Sequence, residues 1–269
     1  MADDFKIAQP KQYQRLFLKD DIRPDGRALT GCREVKIHVN TVSSALGSAM
    51  VCCGNTRVIA GIKGRFAEPT INNPSSGYLV PNMILPMACN TKYKPGYPAD
   101  SGVAMSNKLE TLITDVTDLM ELCVVPGKVV WCLNLDIVCI NDDGNVLDAA
   151  VLALSAALNN CWLPATHVIE ETGRVVVDPE GEKTKLELKF IPISVTLSVF
   201  DDQTLPDPSE DEEKIQCGSL TCCIDDQSKI RAMWSSANLA DDVLSAALIY
   251  VKKRASVLLS VLQKVSKTS

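Results

Sequence analysis

The stretch from Val129 to Leu158 constrains the fold of this sequence more than any other. Val129 to Ile140 is almost continuously apolar, Asp142-Asp143-Gly144-Asn145 makes a turn, and Leu147 to Leu158 is rich in Ala and Leu. A strand apolar on both faces has to be covered on both faces, and an Ala/Leu helix packs tightly against whatever covers it. The unit therefore requires sheets layered on helices. Hydrophobic residues make up 46% of the 269 residues and aromatics only 5%. The apolar mass is mostly Val, Leu, Ile and Ala, so we expect an α+β fold with mixed sheets and flanking helices, large enough for one big domain or two small ones.

The remaining periodicities fit that expectation. Tyr13, Leu16 and Phe17 place a short helix after Pro10. Val35, Ile37 and Val39 alternate, and Gly47 to Cys53 and Thr56 to Ile62 are joined through Gly54-Asn55 as a hairpin. Tyr78 to Leu85 reads as a strand between loops, and Ser106 to Leu122 as an amphipathic helix capped by Ser106 or Asn107. Pro164 to Lys183 is polar, with Pro179-Glu180-Gly181 its clearest turn. Leu186 to Phe200 reads as strand, Asp201 to Lys214 as an acidic loop, Cys217 to Ile224 and Lys229 to Trp234 as two more strands, and Asn238 to Val265 as a long helix. These divide the chain into a helical extension (1–22), a first lobe (23–165) and a second lobe with the long helix (166–269).

A net charge of −6 repels a phosphate backbone, so any nucleic-acid contact has to be local or shared. The eleven cysteines form no CxxC pair, and with only His38 and His167 beside them no metal spacing emerges. We read them as reduced thiols acting as small hydrophobes in a cytosolic or nuclear protein. Acids at Asp3 and Asp4 stand where a signal peptide needs basic residues, and no apolar run suffices to span a bilayer. No phosphate loop, nucleophile elbow or His-Cys pairing suggests nucleophilic catalysis or a cofactor.

Arg23-Pro24-Asp25-Gly26-Arg27 resembles the opening signature of the RNase PH family. The hairpin at Gly47-Ser48-Ala49 to Gly54-Asn55-Thr56, then Gly77-Tyr78-Leu79-Val80-Pro81-Asn82, and the junction Gly144-Asn145-Val146-Leu147-Asp148-Ala149 follow in the order that family shows. The sequence is most similar to the ring subunits of the eukaryotic RNA exosome. That resemblance implies a two-lobed fold in a hetero-hexameric ring with other RNase PH-like subunits, contact with cap subunits, single-stranded RNA in a central channel, and work in nucleus, nucleolus and cytoplasm.

The family reaction is phosphorolysis, which brings two sets of negative oxygens together and needs cations and hydrogen-bond donors. The resemblance places a phosphate-binding arginine at the strand-helix junction, where this sequence has Leu147, and further arginines before the first long helix, where it has Asp100-Ser101-Gly102. Losing such contacts costs on the order of 2 to 5 kcal/mol per desolvated charge pair. The acids of Asp207-Pro208-Ser209-Glu210-Asp211-Glu212-Glu213 either match the family's metal ligands or general acid, at Asp207 and Glu213, or form a solvated acidic loop. We therefore expect no catalytic residue and no metal, with an active phosphate-dependent exoribonuclease and a small-molecule enzyme on a related fold as competing readings. For RNA contact the candidates are Arg57, Lys63 and Arg65 on or beyond the hairpin, and Lys92, Tyr93 and Lys94, where two cations flank a ring on which a base can stack.

Overall fold

A computed structural model describes residues 2–94, 100–169, 174–178, 181–201 and 203–268. Two short helices, α1 (Ala2–Ala8) and α2 (Pro10–Leu18), lead into the first lobe. Its strands are β1 (Val35–Val39), β2 (Gly47–Cys53), β3 (Thr56–Ala67), β4 (Tyr78–Ile84), β5 (Cys123–Val125) and β6 (Val129–Asn141). They form one sheet in the order β1-β2-β3-β6-β4, with β5 also on β6. β4 runs parallel to β6 and every other pair is antiparallel, so the sheet is mixed. The helices of this lobe are α3 (Asp100–Ile113) and α4 (Val146–Asn159).

Short pairings lead from the first lobe into the second, β7 (Trp162–Leu163) with β10 (Thr184–Lys185) and β8 (Thr166–Ile169) with β9 (Arg174–Val177). Its main sheet orders β12 (Gln203–Pro206), β11 (Ile193–Phe200), β13 (Gly218–Ile224) and β14 (Ile230–Ser235) as antiparallel neighbours, with α5 (Glu210–Ile215) between β12 and β13. The chain closes on α6 (Asp241–Thr268).

α4 joins the two lobes. It packs on β1, β2, β3 and β6 from one side and on β11 and α6 from the other. All its residues from Val146 to Leu158 are buried except the half-buried Asp148. This explains the missing polar stripe: a helix apolar all round is one enclosed all round. α6 presents Ala247, Val251, Ala255, Leu258 and Leu262 to the same core, and that core runs unbroken from Ile37 to Leu262.

Five sequence expectations need correction. The first long helix starts at Asp100 and ends at Ile113, with a separate 3-10 turn over Leu119–Leu122. Ser106 is not its cap but lies inside it, donating to Gly102 O at 3.0 Å and accepting from Met83 N–H at 2.9 Å. The strand expected from Leu186 begins only at Ile193, after Pro192. The passage between lobes contains the β8–β9 hairpin, while Pro179 and Glu180 of its expected turn lie outside the described residues. Finally, 201–214 is not a loop but β12 and α5.

Candidate functional site

The site lies where β6 turns into α4 and where the second lobe returns the segment 206–213 against that turn. Gly144 and Asn145 adopt φ +85° and +54°. At Gly144 a Cβ would stand 2.4 Å from the Ser209 carbonyl carbon and 2.5 Å from Glu210 N, so both the backbone conformation and the approach of the second lobe demand glycine. Opposite it, Ser209 begins α5 with a capping box, its N–H and Oγ donating to Glu212 Oε2 at 2.9 and 3.2 Å.

Three guanidinium groups from the segment before β1 enter this junction. Arg23 starts a tight turn in which Gly26 N–H donates to Arg23 O at 2.8 Å and Gly26 takes φ +84°. Its side chain is wholly buried. Nε donates to Glu212 Oε1 at 2.8 Å, Nη2 to Glu212 Oε2, and Nη1 to Pro206 O at 2.7 Å. Arg33 grips Asp207 twice, through Nε to Oδ2 at 3.0 Å and Nη2 to Oδ1 at 2.6 Å, and its own N–H adds a third bond at 2.8 Å. Its Nη1 donates to Asp143 O at 2.8 Å. Arg27 reaches Asp207 O at 3.0 Å and Asp25 Oδ2 at 2.6 Å, while its Nη2, 3.7 Å from Glu212 Oε2, makes no hydrogen bond among the described residues.

The amino end of α4 is occupied as well. Asn145 N–H donates to Glu213 Oε1 at 2.7 Å, and Asn145 Nδ2 donates to Asp207 Oδ1 and to Asp148 Oδ2, both at 2.9 Å. Asp148 is tied to the second lobe by Ser194 Oγ at 2.8 Å, Thr196 N–H at 2.7 Å and Thr196 Oγ1 at 2.8 Å. The electrostatics divide the acids into two kinds. Burial pushes the Asp207 and Glu212 carboxyls up, but Arg33 and Arg23 outweigh it and hold both below the usual carboxylate range. Glu213 and Asp148 are raised, because burial outweighs the hydrogen bonds each accepts and, at Glu213, the charges of Lys92 and Arg33 as well.

Of the expected degenerate-site residues, Asp207 and Glu213 meet at Asn145, while Leu147 lies in the aliphatic core. Leu147 is buried in α4, and Asp207 and Glu213 do converge on the junction. The acidic run is not a solvated loop, since Asp207 and Glu212 are buried and paired. Guanidinium groups are present after all, supplied by Arg23, Arg27 and Arg33 instead of the positions at Leu147 and Asp100. Apart from Arg27 Nη2, their donors are directed at the chain's own carboxylates and carbonyls. The cleft beside Asn145, Asp148 and Asp207 holds about 20 Å3, the size of one water. A larger groove of about 740 Å3 lies under α1 and α2. There Asp25, Asp143, Asp211 and Glu212 face Lys6, Arg33 and Lys214, a balance that does not favour an oxyanion.

Among the RNA candidates, Arg57, Lys63, Arg65 and Lys94 are exposed. Lys63 pairs with Asp136 at 3.2 Å and Lys92 with Asp142 at 2.7 Å. Tyr93 is corrected: its ring is only 7% exposed and its OH donates to Asp142 Oδ2 at 2.7 Å, which leaves no face for a base.

Residues 31–164 match the family model described as 3′ exoribonuclease family, domain 1, and residues 191–249 match domain 2 of that family. The chain belongs to the RNase PH-like 3′ exoribonuclease family. Among relatives in this family, exosome complex component rrp43 of Schizosaccharomyces pombe is 36% identical over 228 residues, covering 84% of each chain. Exosome complex component Rrp42 of Methanothermobacter thermautotrophicus is 35% identical over 237 residues, covering 86% of each. The family fold is equally clear in a subunit of the Archaeoglobus fulgidus exosome with RNA bound to the active site, which superposes with a TM-score of 0.83 at 30% identity over 93% of this chain and 96% of that one. A chain of an archaeal exosome core gives 0.78 at 27% identity over 100% and 99%. The 3′ exoribonuclease domains thus place the arginine–carboxylate junction between their two family models, one contributing α4 and the other β11.

Proposed function

We propose that this chain is a non-catalytic ring subunit of an RNA exosome. It assembles with other RNase PH-like subunits in a hetero-hexamer, supports the cap subunits, and helps guide single-stranded RNA toward 3′-to-5′ processing and degradation in the nucleus, nucleolus and cytoplasm. Relatives that align along nearly the whole chain are exosome components, which supports the assembly. One observation carries the non-catalytic reading: where phosphorolysis needs free cations around an oxyanion, the guanidinium donors of Arg23 and Arg33 and the amino end of α4 are directed at Glu212, Asp207 and Glu213. For RNA, the loop cations Lys92 and Lys94 supply phosphate attraction without a stacking ring.

The test is to incubate the purified chain with single-stranded RNA and inorganic phosphate and to follow nucleoside diphosphates. No release is expected from the chain alone. Phosphate-dependent release that disappears in Asp207→Asn would establish an active exoribonuclease in its place.

A further inference from the structure

Two thiols of the first lobe meet at the outgoing end of β6. Leu133, Leu135, Ile137 and Cys139 alternate onto the buried face of that strand, each 0% exposed. β4 runs parallel to β6 with Ile84 opposite Val138, so the chain leaves β4 level with the Cys139 thiol. The turn 86–89, closed by Cys89 N–H donating to Pro86 O at 3.0 Å, brings it back to β6, where Cys89 O accepts from Asp142 N–H at 3.1 Å. Cys89 is buried, and the Cys139 thiol donates a hydrogen bond to its sulfur. The same segment is held by Asn90 Nδ2 on Asp142 O at 3.1 Å and by Tyr93 OH and Lys92 Nζ on Asp142 Oδ2, both at 2.7 Å.

The two thiols are not equivalent. Cys89 borders an open groove of about 840 Å3 together with Asn90, Thr91 and Asp142, while Cys139 lies fully enclosed behind it. Burial raises both thiols, so the reduced pair is stable and slow to react at neutral pH. The Cys139 donor and the Lys92 charge oppose that rise at Cys89 alone, which makes it the sulfur that ionises and meets an oxidant first. Filling the core explains why each cysteine is buried. It does not require that their sulfurs touch, which two aliphatic side chains would serve as well.

We propose that Cys89 and Cys139 form an oxidisable pair, a site of reversible disulfide modification that pins the segment 86–93 to β6 when the chain meets a peroxide. The Cys89 thiolate attacks one peroxide oxygen, the O–O bond breaks, and the departing hydroxide takes up the proton that Cys89 released, leaving a sulfenic acid and one water. The Cys139 sulfur then attacks the Cys89 sulfur, the S–O bond breaks, and a second water leaves with the Cys139 proton. Two thiols lose two electrons, and one hydrogen peroxide becomes two waters. The sulfurs must close to about 2 Å, a movement that the turn 86–89 can absorb. The proposal is independent of the ring reading above.

The test treats the full chain with hydrogen peroxide at neutral pH, caps the remaining thiols with N-ethylmaleimide and digests it without reductant. A peptide linking Cys89 to Cys139 is expected, two hydrogens lighter than the sum of its parts and separated by dithiothreitol. Because the bridge ties positions 50 residues apart, the oxidised chain should melt at least about 5 °C above the reduced one. Cys139→Ala should lose both effects and accumulate sulfinic acid at Cys89. Recovery of both cysteines capped, or of either one linked elsewhere, overturns the proposal. A bridge that leaves the melting temperature unchanged overturns the pinning. Where Cys139→Ala fails to fold, the peptide map and melt of the unaltered chain decide.

Discussion

Asp207 and Glu212 have buried carboxylates held charged by Arg33 and Arg23, and this gives the fold an acid-sensitive joint. Their folded values lie below the unfolded 3.8 and 4.5, so their contribution is complete above those values and is lost as pH falls below them. Thermal melts from neutral pH downward should show stability falling in that acid range, and Asp207→Asn should flatten the fall. Arg23→Met leaves the buried Glu212 with only the more distant Arg27, at 3.7 Å, as an ionic partner, a loss of about 3 kcal/mol in denaturant titration. Asp148 and Glu213 behave oppositely. Raised values mean that they favour the folded state at low pH and oppose it as pH rises, so Asp148→Asn should be tolerated far better than Asp207→Asn at neutral pH. The sequence made Leu147, Asp207 and Glu213 legible through resemblance, but not Glu212 or the role of Arg23 and Arg33. The Ser209-x-x-Glu212 pattern was the available signal for a capped helix, and it was hidden in a run of acids whose neutralising arginines lie some 180 residues away in the chain, Arg23 and Glu212 being 189 apart.

At the scale of elements, periodicity served best where one environment persists along a segment. α4 was readable because it is enclosed along its length, and β2 and β3 because their hairpin is local; β6, expected to be covered on both faces, is instead buried on the α4 face and half-open on the other from Asn134 to Ile140. The boundaries of α3 and β11 were not. Ser106 looks like a cap by residue type, yet its hydroxyl serves Met83 of the adjacent edge strand, a contact that sequence order does not display. Leu154 and Leu158 are 1% and 0% exposed in α4. Leu154→Ala should cost about 2 to 5 kcal/mol, read as a shift of the denaturation midpoint without a change in slope.

For the whole molecule, the continuous core predicts joint unfolding of the two lobes. Trp131 lies in the first sheet and Trp234 in the second. Single-tryptophan variants retaining one or the other should report coincident transitions. Separate midpoints would show lobes that melt independently. The reason lies in α4, whose two sides belong to different sheets, so that a hinge between them would tear open the same aliphatic layer twice. A chain built this way should resist bending between its two sheets, so that a displacement at one end is felt at the other.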